Sequence, residues 1–212
     1  MTSWAIADYF LRPKPAYYVI KRELAPVAVG IERVAESTKE AEWTSQSTLK
    51  RTVQFKVWGT SSGLEERKLS LSLHGWDIPT GKAVDLVQDG RSVVLKANQS
   101  TEVCEFTYPS DGGNLVVEAR LTDDHEETIA HYSSWPDPLK YADVAADPKL
   151  HIESKGDTIH LKTDKPMKGL WLHLDDDKVK FDDNFLDLMP GDSRVVKAKG
   201  LNGRKVEARW YH

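Results

Sequence analysis

The sequence predicts an all-β protein, two immunoglobulin-like antiparallel β-sandwich domains behind a short helical segment. Two observations carry this. From residue 27 onward, apolar and polar residues alternate with period two in short runs, the pattern of strands with one face buried and one in water. Turn signals such as Ser61-Ser62-Gly63, Pro79-Thr80-Gly81, Asp89-Gly90 and Asp111-Gly112-Gly113 separate those runs, with no helical pattern between them. That spacing favours Greek-key sandwiches over a parallel α/β sheet.

The opening is the one stretch with helical chemistry. Pro15 suits a first helical position, where its missing N–H has no partner to lose, and residues 16–24 follow with good helix formers until Pro26 ends the run. The first sandwich is expected over residues 25–141, with strands near 27–31, 52–58, 68–74, 82–87, 92–95, 102–106, 114–121 and 128–132. Its limit is Trp135-Pro136-Asp137-Pro138, where two prolines forbid a central strand. The second sandwich is expected over 142–212, with seven strands near 150–153, 158–163, 169–174, 179–181, 184–188, 193–198 and 205–211. Lys155-Gly156-Asp157, Met189-Pro190-Gly191-Asp192 and Asn202-Gly203 mark its turns, and the last is a strong hairpin signal.

Composition narrows the function classes. The 212 residues are 40% hydrophobic and 29% charged, the balance of a soluble globular chain. Lys+Arg total 29 against 33 Asp+Glu, so no basic field exists to hold nucleic acid or an anionic membrane. Cys104, the lone cysteine, sits in an alternating run and reads as a small core residue rather than half of an internal disulfide. The first eight residues lack a basic stretch followed by an apolar run, so a cytoplasmic setting is expected. Asn98-Gln99-Ser100 reads as a polar turn between strands rather than a glycosylation site.

Chemistry-bearing motifs are sparse. His125 and His131 have no cysteine nearby to complete a zinc set, and the runs Asp175-Asp176-Asp177 and Asp182-Asp183-Asn184 lack the register of a calcium loop and read as solvated turns. No strand–glycine loop–helix unit cradles a phosphate, and no Gly-x-Ser-x-Gly elbow presents a nucleophile. No metal or other cofactor and no catalytic residue is therefore assigned. Seven tryptophans are the feature that points toward sugars. Trp58, Trp171 and Trp210 are assigned to apolar strand faces, and Trp4 and Trp135 to segment junctions. Trp76, in His74-Gly75-Trp76-Asp77, is placed on a turn and is the candidate carbohydrate platform. Trp4, Tyr9, Phe10, Tyr17 and Tyr18 form a second group, with more aromatic surface than one short helix buries by itself. It is expected to fold back on the first sandwich, pair with another copy, or stay exposed.

The run Ser3-Trp4-Ala5-Ile6-Ala7-Asp8-Tyr9-Phe10-Leu11-Arg12-Pro13-Lys14-Pro15-Ala16-Tyr17-Tyr18-Val19-Ile20-Lys21-Arg22-Glu23-Leu24 resembles the end of the (β/α)₈ barrel in glycoside hydrolase family 2, in particular its fungal β-mannosidases of the intracellular B type. The likeness continues through Trp135-Pro136-Asp137-Pro138-Leu139-Lys140-Tyr141, Asp187-Leu188-Met189-Pro190-Gly191-Asp192 and residues 198–206. It implies that residues 1–24 are the remnant of the last strand–helix unit of the barrel, and that Trp4, Tyr9, Phe10, Tyr17 and Tyr18 face that barrel. The implied whole enzyme removes terminal β-linked mannose with retention, using two barrel glutamates. The family's Asn-Glu dipeptide is missing from this sequence, and no catalytic residue is carried over. Retention requires two carboxyl groups about 5–5.5 Å apart across the sugar, whereas alternation here puts most acids on solvated faces. The expectation is a non-catalytic, structural part of such an enzyme, with the barrel and manno-oligosaccharide as partners and self-association through the aromatic segment. A stand-alone carbohydrate-binding module and a chain acting as a β-mannosidase unaided are the alternatives.

Overall fold

The computed structural model describes residues 5–39, 49–86, 91–109 and 113–212, with side chains left out at 36–39 and 49–51. The chain divides into two compact units. One comprises Ala25–Asp77 and Ala83–Asp143; the other joins Met1–Leu24 and Ile78–Lys82 to Val144–His212. They are called here the first and second units.

The first unit holds β1 (Val27–Lys39), β2 (Leu49–Ser61), β3 (Arg67–Asp77), β4 (Ala83–Val84), β5 (Arg91–Leu95), β6 (Gln99–Tyr108), β7 (Leu115–Thr122) and β8 (Thr128–Ser134). They form two antiparallel sheets. One runs β1-β2-β6; the other runs β4-β3-β7-β8, with β5 also paired to β3. Period two now has a visible cause. Val27, Val29, Ile31, Val53, Phe55 and Val57 point inward from the first sheet and meet Leu69, Leu71, Leu73, Val117, Ala119 and Leu121 of the second in one core. Cys104 packs against that core, as its alternating run predicted, and burial pushes its thiol pKa up. Arg33 ties one sheet to the other. Its guanidinium lies 4.9 Å over the Phe55 ring and donates to the carbonyls of Leu115 and Ser134 at 2.5 and 3.0 Å.

The second unit holds the helix α1 (Pro15–Glu23), with Pro15 in its first turn, and seven strands. These are β9 (His151–Lys155), β10 (Thr158–Lys162), β11 (Met167–His173), β12 (Lys180–Phe181), β13 (Leu186–Leu188), β14 (Arg194–Lys199) and β15 (Glu207–Tyr211). The sheets β12-β14-β10-β9 and β13-β11-β15 enclose Ile159, Leu161, Met167, Leu170, Leu172, Leu186, Leu188 and Val196. Trp210 packs against this core as expected.

One local expectation fails for an identifiable reason. Asn202 and Gly203 do take left-handed backbone angles (φ 54° and 71°), but the strands around them, β14 and β15, belong to different sheets. The pair therefore shapes a crossover instead of a hairpin. Asp157 fixes it, accepting from the amides of Asn202 and Gly200 at 3.0 and 3.1 Å. Those amide bonds hold its carboxyl below the usual range. Residues 1–24 group with residues 144–212.

Candidate functional site

Residues 6–14 double back on themselves through a bridge between Ala7 and Pro13, closed by Lys14 N–H donating to the Ile6 carbonyl at 3.0 Å. Asp8 holds the loop from inside. Its Oδ1 accepts from the amides of Phe10 (2.9 Å) and Arg12 (3.0 Å), and its Oδ2 from Arg12 Nε at 2.6 Å. The Arg12 amide bond, then the Arg12 guanidinium and Phe10 amide, keep the Asp8 carboxyl below its ordinary pKa despite some desolvation. The consequence lies at the tip: Tyr9, Phe10 and Leu11 stand out at 92, 68 and 82% exposure. Three consecutive large apolar side chains on a loop this tightly bonded are held out by structure rather than by fraying.

The helix behind the loop is anchored. Tyr18 is buried and meets Trp171 edge-on, centroids 6.0 Å apart. Burial, then the neighbouring Tyr17 and Asp183, push its phenol pKa up to about 12. Arg22 forks onto the loop after β12, donating to Asp183 Oδ1 at 2.5 Å and to the carbonyls of Asn184 and Phe185 at 3.0 and 2.9 Å. Asn184 completes the receiving surface from within. It is 1% exposed, its Oδ1 accepts from the amides of Leu172 and Phe185, and its Nδ2 donates to the Leu172 carbonyl, all at 2.8 Å. A cleft of about 490 Å³ borders this dock, lined by Arg12, Tyr18, Trp171, His173, Asp176 and Lys180 among others.

The structure rearranges the predicted site residues. Tyr9, Phe10 and Tyr17 face outward, Tyr18 faces inward against the second unit's own Trp171, and Trp4 lies outside the described residues. Within the second unit the helix docks through Trp171 and Asn184. Trp76 is not on a turn. It sits in β3, paired with Ala83 and Val116, and is 8% exposed, so its ring offers no free face to a sugar. Trp58 and Trp171 are not on core faces either: burial alternates so that Val57 and Leu172 point in and these two point out. Strict counting from Val53 and Phe55 already puts Trp58 on the Lys56 side. Asn184 and Arg22 were missed. Asn184 was read as part of a solvated turn, and nothing local distinguishes it from its acidic neighbours.

The acidic runs are engaged by donors of the chain itself: Asp176 by Arg204 and the Lys178 amide, Asp182 by the Lys197 amide, Asp183 by Arg22. Among the described residues no group of three or more His, Cys, Asp or Glu is arranged to hold a metal, and no helix is long and apolar enough to cross a membrane. Glu118 on β7 is a buried carboxylate, bonded to Arg120 at 2.7 Å with His131 at 3.7 Å.

Two antiparallel β-sandwich units define the fold class, and the comparisons with known proteins make it specific. Residues 53–141 match the family described as the mannosidase Ig/CBM-like domain, and residues 145–209 match the mannosidase Ig-fold domain. Each of these two stretches thus carries a mannosidase-type immunoglobulin-like domain. Its homologues include beta-mannosidase B of Thermothelomyces thermophilus, 33% identical over 99% of this chain and 26% of that protein, and beta-mannosidase B of Aspergillus niger, 34% identical over 94% and 24%. A crystal structure of the beta-D-mannosidase of Dictyoglomus thermophilum has the same fold over 99% of this chain and 24% of its own, with a TM-score of 0.74 at 18% identity. The chain spans about a quarter of the length of these relatives.

Proposed function

We propose that this chain is the non-catalytic β-sandwich part of a β-mannosidase, serving a catalytic barrel that removes terminal β-linked mannose. The observation that carries this reading is the tip Tyr9-Phe10-Leu11, held outward by the Asp8 bonds beside a helix docked on the second unit. Among the described residues, seven of the twelve large exposed hydrophobics lie in residues 6–24 (Ile6, Tyr9, Phe10, Leu11, Tyr17, Ile20 and Leu24), so apolar surface is concentrated where the sequence resembles the end of a barrel. The barrel covers this surface, and the dock through Tyr18 and Arg22 fixes the second unit relative to the chain entering from the barrel.

The test is reconstitution. A β-mannosidase B polypeptide cut before the matching region is co-expressed with this chain, and the expected result is a co-purifying pair that releases nitrophenol from p-nitrophenyl β-mannoside. The purified chain alone releases none. In a Phe10→Ser, Leu11→Ser variant the yield of the pair should fall at least severalfold. Turnover by the chain alone that persists through repeated purification would sink the reading.

A further inference from the structure

We infer that the outer face of the β1-β2-β6 sheet carries a binding site for neutral hexopyranosides, with Trp58 as its floor. Three cross-strand rows build it. Gly30, Trp58 and Glu102 pair in one row, Glu32, Lys56 and Glu105 in the next, and Ala28, Thr60 and Ser100 in the third. Because β2 alternates, Val57 points into the core and Trp58 points away from it. A bulge on β6 opposite Val57 and Trp58 shifts the register, so that Trp58 pairs with Glu102 and not with Val103.

Gly30 sets how low the indole lies. A Cβ added there would meet Trp58 Cζ2 at 2.6 Å, Cε2 at 2.7 Å and Nε1 at 3.0 Å, all ring atoms. The indole therefore lies across the β1 backbone in the space that any other residue's side chain would fill. Packing over a bare strand glycine accounts for one side of this ring. It does not account for the cleft beside it, about 780 Å³, bounded by Glu32, Lys56, Ser100, Glu102 and Glu105. That volume falls within the roughly 300–1,000 Å³ of small-molecule sites.

The chemistry selects the ligand class. An indole packs against the C–H face of a pyranose, while carboxylates, an ammonium and a hydroxyl at its rim bond the ring hydroxyls. Three carboxylates stand against one ammonium among the described lining residues, and Lys56 already approaches Glu32 at 3.8 Å. The field is negative, so uronates, phosphosugars and nucleotides are repelled and neutral sugars are not. Trp76, buried in β3, cannot supply such a floor, and Trp58 takes its place.

This inference stands apart from the proposed role beside a barrel, because it concerns a face of the first unit alone. The test is native electrophoresis of the intact chain in gels containing galactomannan, with mannotetraose or cellotetraose as soluble competitor. The chain should be retarded, and the tetrasaccharide that the site prefers should release it. Trp58→Ala should weaken retardation at least about tenfold, with the β-sheet circular dichroism and melting temperature retained. Glu102→Ala, a change at an exposed position, should weaken it several-fold and decides the matter if Trp58→Ala does not fold. No retardation of the native chain, or retardation unchanged in either folded variant, overturns the inference whatever the reconstitution experiment gives.

Discussion

At the scale of single residues, Asn184 shows how one side chain can replace a strand. Its amide satisfies both the N–H and the C=O of Leu172 on β11, groups that would otherwise be buried without partners. Phe185, next to it, takes a left-handed φ of 52° and donates its own amide to the same Oδ1. Removing the amide leaves those backbone groups buried and unbonded, so Asn184→Ala should cost about 2–3 kcal/mol. Urea unfolding followed by tryptophan emission measures this, and a loss under about 0.5 kcal/mol would mean that water takes over the bonds. The local sequence gives no warning of this role: Asp182, Asp183 and Asn184 look alike until the chain is folded and just one of them faces inward.

At the scale of elements, α1 shows what decides where an amphipathic helix docks. Nine residues are too few to be stably helical alone, so α1 depends on the surface that receives Tyr18 and Arg22. The phenol reports that contact. Tyr18 has its pKa raised to about 12 from an ordinary value of 10.0. The folded state thus holds the proton more tightly than the unfolded one. Its contribution to stability is complete below pH 10 and disappears as pH rises through about 12. Absorbance titration at 295 nm should show a late step absent from Tyr18→Phe. In Arg22→Ala, which loses the fork onto Asp183, Asn184 and Phe185, that step should move back toward 10; an unmoved step would mean that the Trp171 contact alone docks the helix. Both ends of this element were legible in Pro15 and Pro26, but its partner was not.

At the scale of the molecule, each unit closes its own core, one around Phe55, Leu71 and Leu121, the other around Leu161, Met167 and Leu172. The second unit leaves the tip at Tyr9, Phe10 and Leu11 exposed. Without a barrel the chain should self-associate through it. Light scattering is expected to show a mass that climbs with concentration, and Phe10→Ser with Leu11→Ser should hold it at one chain. A native chain that stays monomeric across a hundredfold range of dilution would remove this surface as an association site.

Period-two alternation by itself determined that the chain folds into two antiparallel sandwiches, because the pleat sends successive side chains to opposite faces whatever lies around them. Proline placement likewise marked both ends of α1 and argued against a central strand at residues 135–138. The tertiary structure alone decided which outward tryptophan stays open. Trp58 and Trp76 both sit in strands of the first unit, yet one lies over Gly30 beside a cleft and the other is buried. Alternation fixes the side of its own sheet to which a residue points, but what covers that side depends on groups far away in sequence. The same reason hid the helix's dock, where Tyr18 and Trp171 meet across more than 150 residues of chain.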